Sequence, residues 1–176
     1  MSVLLPSMTA APITIRPTAE LVAEPLSDPH YLPPDPRDLL RADPNRRTAV
    51  RFASDGIALA GHLYRPPGAD PTERTPALAM FGPVSSVKEQ TLPHYAERLA
   101  NHGYTVLTFD SRGFGESDAA PGRPRWHYDP NEIIQDYGNA VSHLLTRADV
   151  DPDRVGVVGV CMGAATPSRS ARATGA

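Results

Sequence analysis

The chain has 176 residues, with 17 Lys and Arg against 20 Asp and Glu and a formal net charge of -3. This length is enough for one domain with a sizeable core, and the nearly balanced charge gives no reason to expect nucleic acid or an anionic membrane as a partner. A single cysteine, Cys161, excludes an internal disulfide framework and any multi-cysteine metal site.

The sequence predicts neither a membrane span nor a secretory signal, either of which would direct the protein out of the cytoplasm. No apolar run approaches the length of a membrane span. The first residues lack the basic start and the long apolar stretch of a secretory signal. We therefore predict a cytoplasmic protein without membrane contact, and the sequence leaves its oligomeric state open.

Residues 1–47 are predicted to form a Pro-rich extension without regular structure. Nine of the 20 prolines fall in this segment, and such dense spacing suppresses both helices and central strands. An ordered arm or a partner-binding segment is an alternative, but a solvated or loosely docked tail is favoured.

Regular structure is predicted to begin near Thr48, with a β-hairpin. Apolar and polar residues alternate over residues 50–52 and again over residues 57–64. Asp55-Gly56 between them is a strong hairpin signal, because Gly accepts positive φ without cost.

The pattern then changes to strands separated by helices. Three short apolar runs predict strands that are buried on both faces, at residues 77–81, 105–109 and 155–160. One helix is predicted around residues 93–102, with Gly103 as its stop. The other has Asp129 as N-cap, Pro130 in its first position and Glu132 completing a capping box. This order predicts an α/β fold with parallel strands and crossover helices.

The last predicted strand leads into Gly159-Val160-Cys161-Met162-Gly163, a G-x-C-x-G sequence. Glycines in these places permit a sharp strand-to-helix turn, which would lift Cys161 to the carboxyl edge of the sheet, where ligands bind in open α/β folds. A glycine-rich turn with an inert cysteine is the alternative, and the pentapeptide alone does not decide between them. A dinucleotide-binding turn is disfavoured, because these glycines do not make G-x-G-x-x-G.

A second motif, Asp110-Ser111-Arg112-Gly113-Phe114-Gly115-Glu116-Ser117, follows the middle strand. With it, the chain from Thr48 to Gly163 resembles the α/β-hydrolase superfamily, whose D-x-R-G-x-G-x-S loop occupies this place. The resemblance is greatest to the branch that includes dienelactone hydrolase-like and acyl-peptidase-like members. Residues 82–90 lie where that family places its oxyanion loop.

The resemblance implies a role for three residues of the site. Cys161 corresponds to the nucleophile, and the backbone N–H of Met162 to one oxyanion donor. Val84 is the predicted second donor, since Pro83 has no N–H. The implied substrate is a small acyl compound, with no cofactor and no metal.

The charged residues of the two loops are given supporting roles. Asp110, Arg112 and Ser117 are expected to fix loop geometry rather than touch substrate. Lys88 and Glu89 are expected at the surface or as loop-ordering residues.

The family's order of nucleophile, acid and histidine is not met after Cys161. All six histidines precede it, and none is predicted to be catalytic. Residues 164–176 contain only Ala, Arg, Gly, Pro, Ser and Thr, so we predict a non-native tail from a frameshift or truncation, following a partial hydrolase domain over residues 48–163. The strand before Cys161 would then have an uncovered apolar edge, which predicts poor solubility.

Together these features predict a hydrolase of esters, lactones or thioesters that acts through an acyl-enzyme on Cys161. In this form it is expected to be inactive or weakly active, because the acid and base of the triad are missing. An acyltransferase on the same fold and a non-catalytic fragment or binding module are the alternatives.

Overall fold

A β-hairpin opens the described part of the chain. The computed structural model describes residues 46–70, 72–161 and 163. Strand β1 (Arg47–Ser54) pairs antiparallel with β2 (Ile57–Tyr64). The two turn residues, Asp55 and Gly56, have φ of 49° and 81°, as a tight two-residue hairpin turn requires. The predicted hairpin is confirmed.

The sheet continues with three further strands, which are β3 (Thr75–Phe81), β4 (Thr105–Phe109) and β5 (Val150–Gly159). The strand order is β1-β2-β4-β3-β5. β2 runs antiparallel to β4, whereas β3 is parallel to both of its neighbours. The carboxyl ends of β3, β4 and β5 therefore lie at one edge of the sheet, as predicted for an α/β fold.

Two helices cover opposite faces of this sheet. Helix α1 (Leu92–Asn101) and helix α2 (Pro130–Leu145) lie close to their predicted places. Successive residues of β3 alternate between the two faces, so Phe81 packs in one apolar cluster with α2 residues such as Tyr137, and Met80 packs in another with α1 residues such as Ala96. Neither of these helices is long and apolar enough to cross a membrane.

The start of α2 shows half of the predicted capping arrangement. The Asp129 carboxylate accepts a hydrogen bond from the Asn131 N–H at 2.9 Å, and Pro130 holds the first position. The return bond from Glu132 to the cap is absent among the described residues. The Glu132 carboxylate instead lies 3.5 Å from Nε of Arg123, so an ion pair has replaced the second capping bond.

The predicted ends of the domain are only partly visible. β1 begins at Arg47, one residue before the predicted boundary. Residues 1–45 of the predicted extension and the tail at 164–176 lie outside the described residues. β5 is an edge strand of the described sheet, and the Val157 side chain on it is 41% exposed.

Candidate functional site

The chain turns sharply at Cys161, just beyond the end of β5. Its φ is 60°, in the left-handed region that residues other than glycine rarely adopt. The Val160 N–H donates to the Phe81 carbonyl at 2.9 Å, and the Gly163 N–H donates to the Val160 carbonyl at 3.1 Å. These bonds hold Val160 and Gly163 at the end of β3, with Cys161 exposed where the chain turns.

Gly163 is where this turn meets β3 most closely. A Cβ at this position would lie 2.7 Å from the carbonyl oxygens of both Phe81 and Gly82. Side chains larger than hydrogen therefore have no room, which is the physical reason for the second glycine of the motif. Met162 lies outside the described residues, so its oxyanion role stays a prediction.

The loop after β3 contains Val84, the other predicted oxyanion donor. Ser86 donates to the Pro83 carbonyl through both its N–H, at 3.2 Å, and its Oγ, at 2.8 Å. Val84 and Ser85 thus form the corner of a tight turn, and Ser85 has a φ of 64°. Val84 is 38% exposed, and no acceptor for its N–H is found among the described residues. A free backbone donor is what an oxyanion hole needs, but the role itself remains a prediction.

Lys88, in the same loop, is a buried residue. Its side chain is 1% exposed, so the surface alternative predicted for it is wrong. Its Nζ lies 2.8 Å from Asp110 Oδ2, 2.8 Å from Glu116 Oε2 and 2.7 Å from Glu89 Oε1. Burial alone would lower the pKa of Lys88, but hydrogen bonds to these carboxylates outweigh it and raise that pKa. The ammonium therefore stays charged throughout the ordinary pH range.

Asp110 holds the 110–117 loop together from the inside. Its Oδ2 accepts the Glu116 N–H at 3.0 Å, and its carbonyl accepts the Ser117 hydroxyl at 2.6 Å. Ser117 Oγ in turn accepts the Ala60 N–H of β2 at 2.9 Å. These contacts agree with the loop-fixing role that the resemblance implies for Asp110 and Ser117.

Arg112 ties the same loop to α2 and to the hairpin. It donates to the buried Asp136 carboxylate from its backbone N–H at 2.8 Å, from Nε at 2.9 Å and from Nη2 at 2.7 Å. The guanidinium also reaches Asp55 Oδ2 at 3.1 Å and Ser54 Oγ at 3.3 Å. Burial alone would lower the pKa of Arg112, but hydrogen bonds and ion pairs with Asp136 and Asp55 together outweigh it and raise that pKa. The predicted loop-fixing role of Arg112 agrees with this geometry.

A pocket lies between the two loops and α2, and sequence reasoning did not find it. Its wall includes Val84, Ser111, Phe114 and Tyr137. The Tyr137 ring stacks on Phe81 with centroids 4.0 Å apart, and burial raises the pKa of Tyr137 to about 12. Helical periodicity places Tyr137 on the core face of α2, but nothing local indicates that this face borders a pocket.

His127, one of the six histidines, lies beside Asp129 and Glu132. The side-chain nitrogen and oxygen atoms with which these three residues could bind a metal ion lie within 4.8 Å of one another. Arg123 is 3.5 Å from Glu132 and 4.0 Å from Asp129. The two carboxylates are therefore already paired with the Arg123 guanidinium.

Comparisons with known proteins agree with this architecture. The family described as serine aminopeptidase, S33, matches residues 88–174. The thiohydrolase aneE of Aspergillus aculeatus is 38% identical over 112 residues, which is 64% of this chain and 33% of that protein.

Two solved structures give the same picture. A hypothetical protein from Pseudomonas aeruginosa is 34% identical with a TM-score of 0.59, over 65% of this chain and 35% of that one. The α/β-hydrolase GrgF from Penicillium, also described as a polyketide transferase, is 29% identical with a TM-score of 0.63, over 71% of this chain and 41% of that one.

The strand order, the D-x-R-G-x-G-x-S loop and these matches show that the chain has the α/β-hydrolase fold. The described residues form part of that fold. The chain spans about a third of the length of the curated relatives that it matches.

Proposed function

We propose that this domain transfers acyl groups through a covalent intermediate on Cys161, with an ester, lactone or thioester as substrate and water as acceptor. The observation that carries the proposal is the exposed Cys161 at φ 60° beside the carboxyl end of β3. Such a conformation costs on the order of 1–3 kcal/mol, and strain of this kind clusters at functional sites. Thiolates are good nucleophiles and good leaving groups, which suits activated acyl substrates.

The proposed reaction proceeds in two steps. The Cys161 thiolate attacks the carbonyl carbon, the new S–C bond forms, and the carbonyl oxygen takes the negative charge. The backbone N–H groups of Met162 and Val84 are the proposed donors to that oxygen. The oxyanion then collapses and the bond from the carbonyl carbon to the leaving group breaks, so that an alkoxide or thiolate is released and takes its proton from water. Water attacks the thioester in the second step, which releases the acid and returns the thiol.

Acylation of Cys161 is the step to test in this chain. The protein is mixed with p-nitrophenyl acetate at alkaline pH, where a thiolate is available without a general base. We expect one equivalent of nitrophenolate, slow further turnover and one acetyl group located on Cys161 by peptide mass spectrometry. Cys161→Ala should remove both the burst and the modification. Ser142→Ala, which removes an exposed hydroxyl of α2, should leave them unchanged.

An acyltransferase is the second candidate, and the polyketide transferase GrgF is the relative that favours it. Hydrolysis and transfer differ only in the acceptor of the second step. Adding an alcohol or an amine to the acylated protein separates them, because a transferase would form the ester or amide in preference to the acid.

A non-catalytic fragment or binding module is the remaining candidate. It would be preferred if the chain unfolds cooperatively and yet Cys161 reacts with acyl donors no faster than a thiol in a short peptide.

A further inference from the structure

Lys88 joins the two loops at the carboxyl edge of the sheet through both ends of the residue. Its backbone N–H donates to Asp110 Oδ1 at 2.7 Å, and its Nζ donates to Asp110 Oδ2 at 2.8 Å. Asp110 directly follows β4, while Lys88 lies in the loop that follows β3. One carboxylate thus binds the main chain and the side chain of one lysine across two neighbouring parallel strands.

The Lys88–Asp110 pair, which we call the clamp, has little freedom to take another arrangement. The side chains of Lys88 and Asp110 are 1% and 0% exposed, so opening the pair would leave buried charges without partners. Glu116 and Glu89, at 70% and 40% exposure, close the outer side of the ammonium. Because carboxylates contact the Lys88 ammonium on both its buried and its exposed side, the position of this ammonium is more restricted than that of a surface lysine.

The segment that the clamp holds is the one with Val84. β3 anchors its beginning, and Lys88, four residues after Val84, anchors its end. Between them the Ser86 contacts to Pro83 shape the turn, and just beyond Lys88 the Gln90 N–H donates to the Val87 carbonyl at 3.0 Å. No side chain of this segment other than that of Lys88 makes a buried ion pair among the described residues.

We propose that Lys88 is a positioning residue for the oxyanion hole, which it serves by fixing the loop that presents the Val84 N–H. The inference rests on the proposed acyl transfer by Cys161. It assigns Lys88 no contact with substrate. Its effect is confined to reactions in which negative charge develops on a carbonyl oxygen.

That restriction supplies the test. p-Nitrophenyl acetate acylates a thiol through an oxyanion, whereas iodoacetamide alkylates the same thiol by direct displacement and forms none. The ratio of the two second-order rate constants at Cys161 therefore reports the oxyanion hole separately from the accessibility and ionisation of the thiol. It is measured on the full chain by mass spectrometry, with circular dichroism to check folding.

Lys88→Met should lower the ratio about tenfold, as small displacements of positioned groups do, and leave alkylation unchanged. Lys88→Arg, which keeps the charge, should recover part of the loss. Arg147→Met is the matched control, since it removes an ion pair with Asp149, 2.8 Å long, that precedes β5 at the opposite edge of the sheet. Its ratio should equal that of the unmodified chain.

An unchanged ratio in a folded Lys88→Met variant overturns the inference and leaves the role of Cys161 intact. If Lys88→Met does not fold, Glu116→Gln weakens the clamp from its exposed side and should lower the ratio about threefold; no change there also overturns it. If Cys161 is not acylated in the chain without substitutions, both the proposed function and this inference are overturned.

Discussion

Gly163→Ala tests the geometry of the Cys161 turn most directly. The added Cβ would lie 2.7 Å from two carbonyl oxygens and 2.9 Å from the Phe81 carbonyl carbon. These atoms belong to the backbone at the end of β3, so no side-chain rotation relieves the contact. Overpacking of this kind costs about 1–3 kcal/mol. We expect that loss in the free energy of unfolding, together with slower acylation of Cys161, because the turn has to move away from β3.

Gly138→Ala is the matched control for the same chemical change. Gly138 lies inside α2, and a Cβ there would meet nothing within 4 Å. Alanine in a helix interior is favoured over glycine by about 1 kcal/mol. The two variants should therefore change stability in opposite directions and differ by about 2–4 kcal/mol.

Urea unfolding followed by circular dichroism measures the stability of both variants, and the nitrophenolate burst measures acylation. The reasoning is refuted if Gly163→Ala is as stable as the unmodified chain and is acylated at the same rate. That result would mean that the turn does not press against the end of β3. A loss of stability in Gly138→Ala would instead show that the control position is not an open helix site.

Two further predictions concern buried charge. Arg112→Met leaves the Asp136 carboxylate buried without its partner and should lower the free energy of unfolding, measured with urea, by about 3–5 kcal/mol. Arg123→Met, which removes an exposed ion pair, should lower it by about 1 kcal/mol or less. Equal losses in the two variants would contradict the assignment of Arg112 as the link between the loop and α2. Burial holds the pKa of His143 below its ordinary value, so its contribution to stability is complete above about pH 6.5 and is lost as pH falls through the lower, folded-state pKa. His143→Phe keeps a ring against Phe52 and should reduce the loss of stability between pH 7.5 and about pH 5; an undiminished loss would place the pH dependence elsewhere.

Local sequence patterns predict most of the described fold. Asp55-Gly56 specifies the hairpin turn, and Asp129-Pro130 specifies the start of α2, because each depends on the chemistry of two adjacent residues. The apolar run at 105–109 coincides with β4. β5 begins at Val150, five residues before its predicted start. Its first residues include Pro152 and two aspartates, which a search for apolar runs passes over.

The contacts that hold the candidate site are the part that local patterns miss. Lys88 and Asp110 are 22 residues apart, and Arg112 and Asp136 are 24 apart. A charged residue in a loop is ordinarily solvated, so nothing near Lys88 in the chain indicates that it is buried. Only the register of β3 against β4 brings it to Asp110.

Asp110 and Arg112 explain how the D-x-R-G loop supports a candidate site whose pocket neither of these two side chains lines. Asp110 binds the loop after β3, while Arg112, two residues later, binds α2 and the β1–β2 turn. Lys88 neutralises Asp110, while Asp136 and Asp55 neutralise Arg112, so little of this charge is left for a substrate. In the proposed reaction the oxyanion is stabilised by backbone N–H groups, which every residue but proline possesses and which no sequence motif can specify directly. What a sequence can specify is the scaffold that places those groups. In this chain that scaffold consists of buried ion pairs on the loops and a glycine at position 163, where the turn after β5 meets β3.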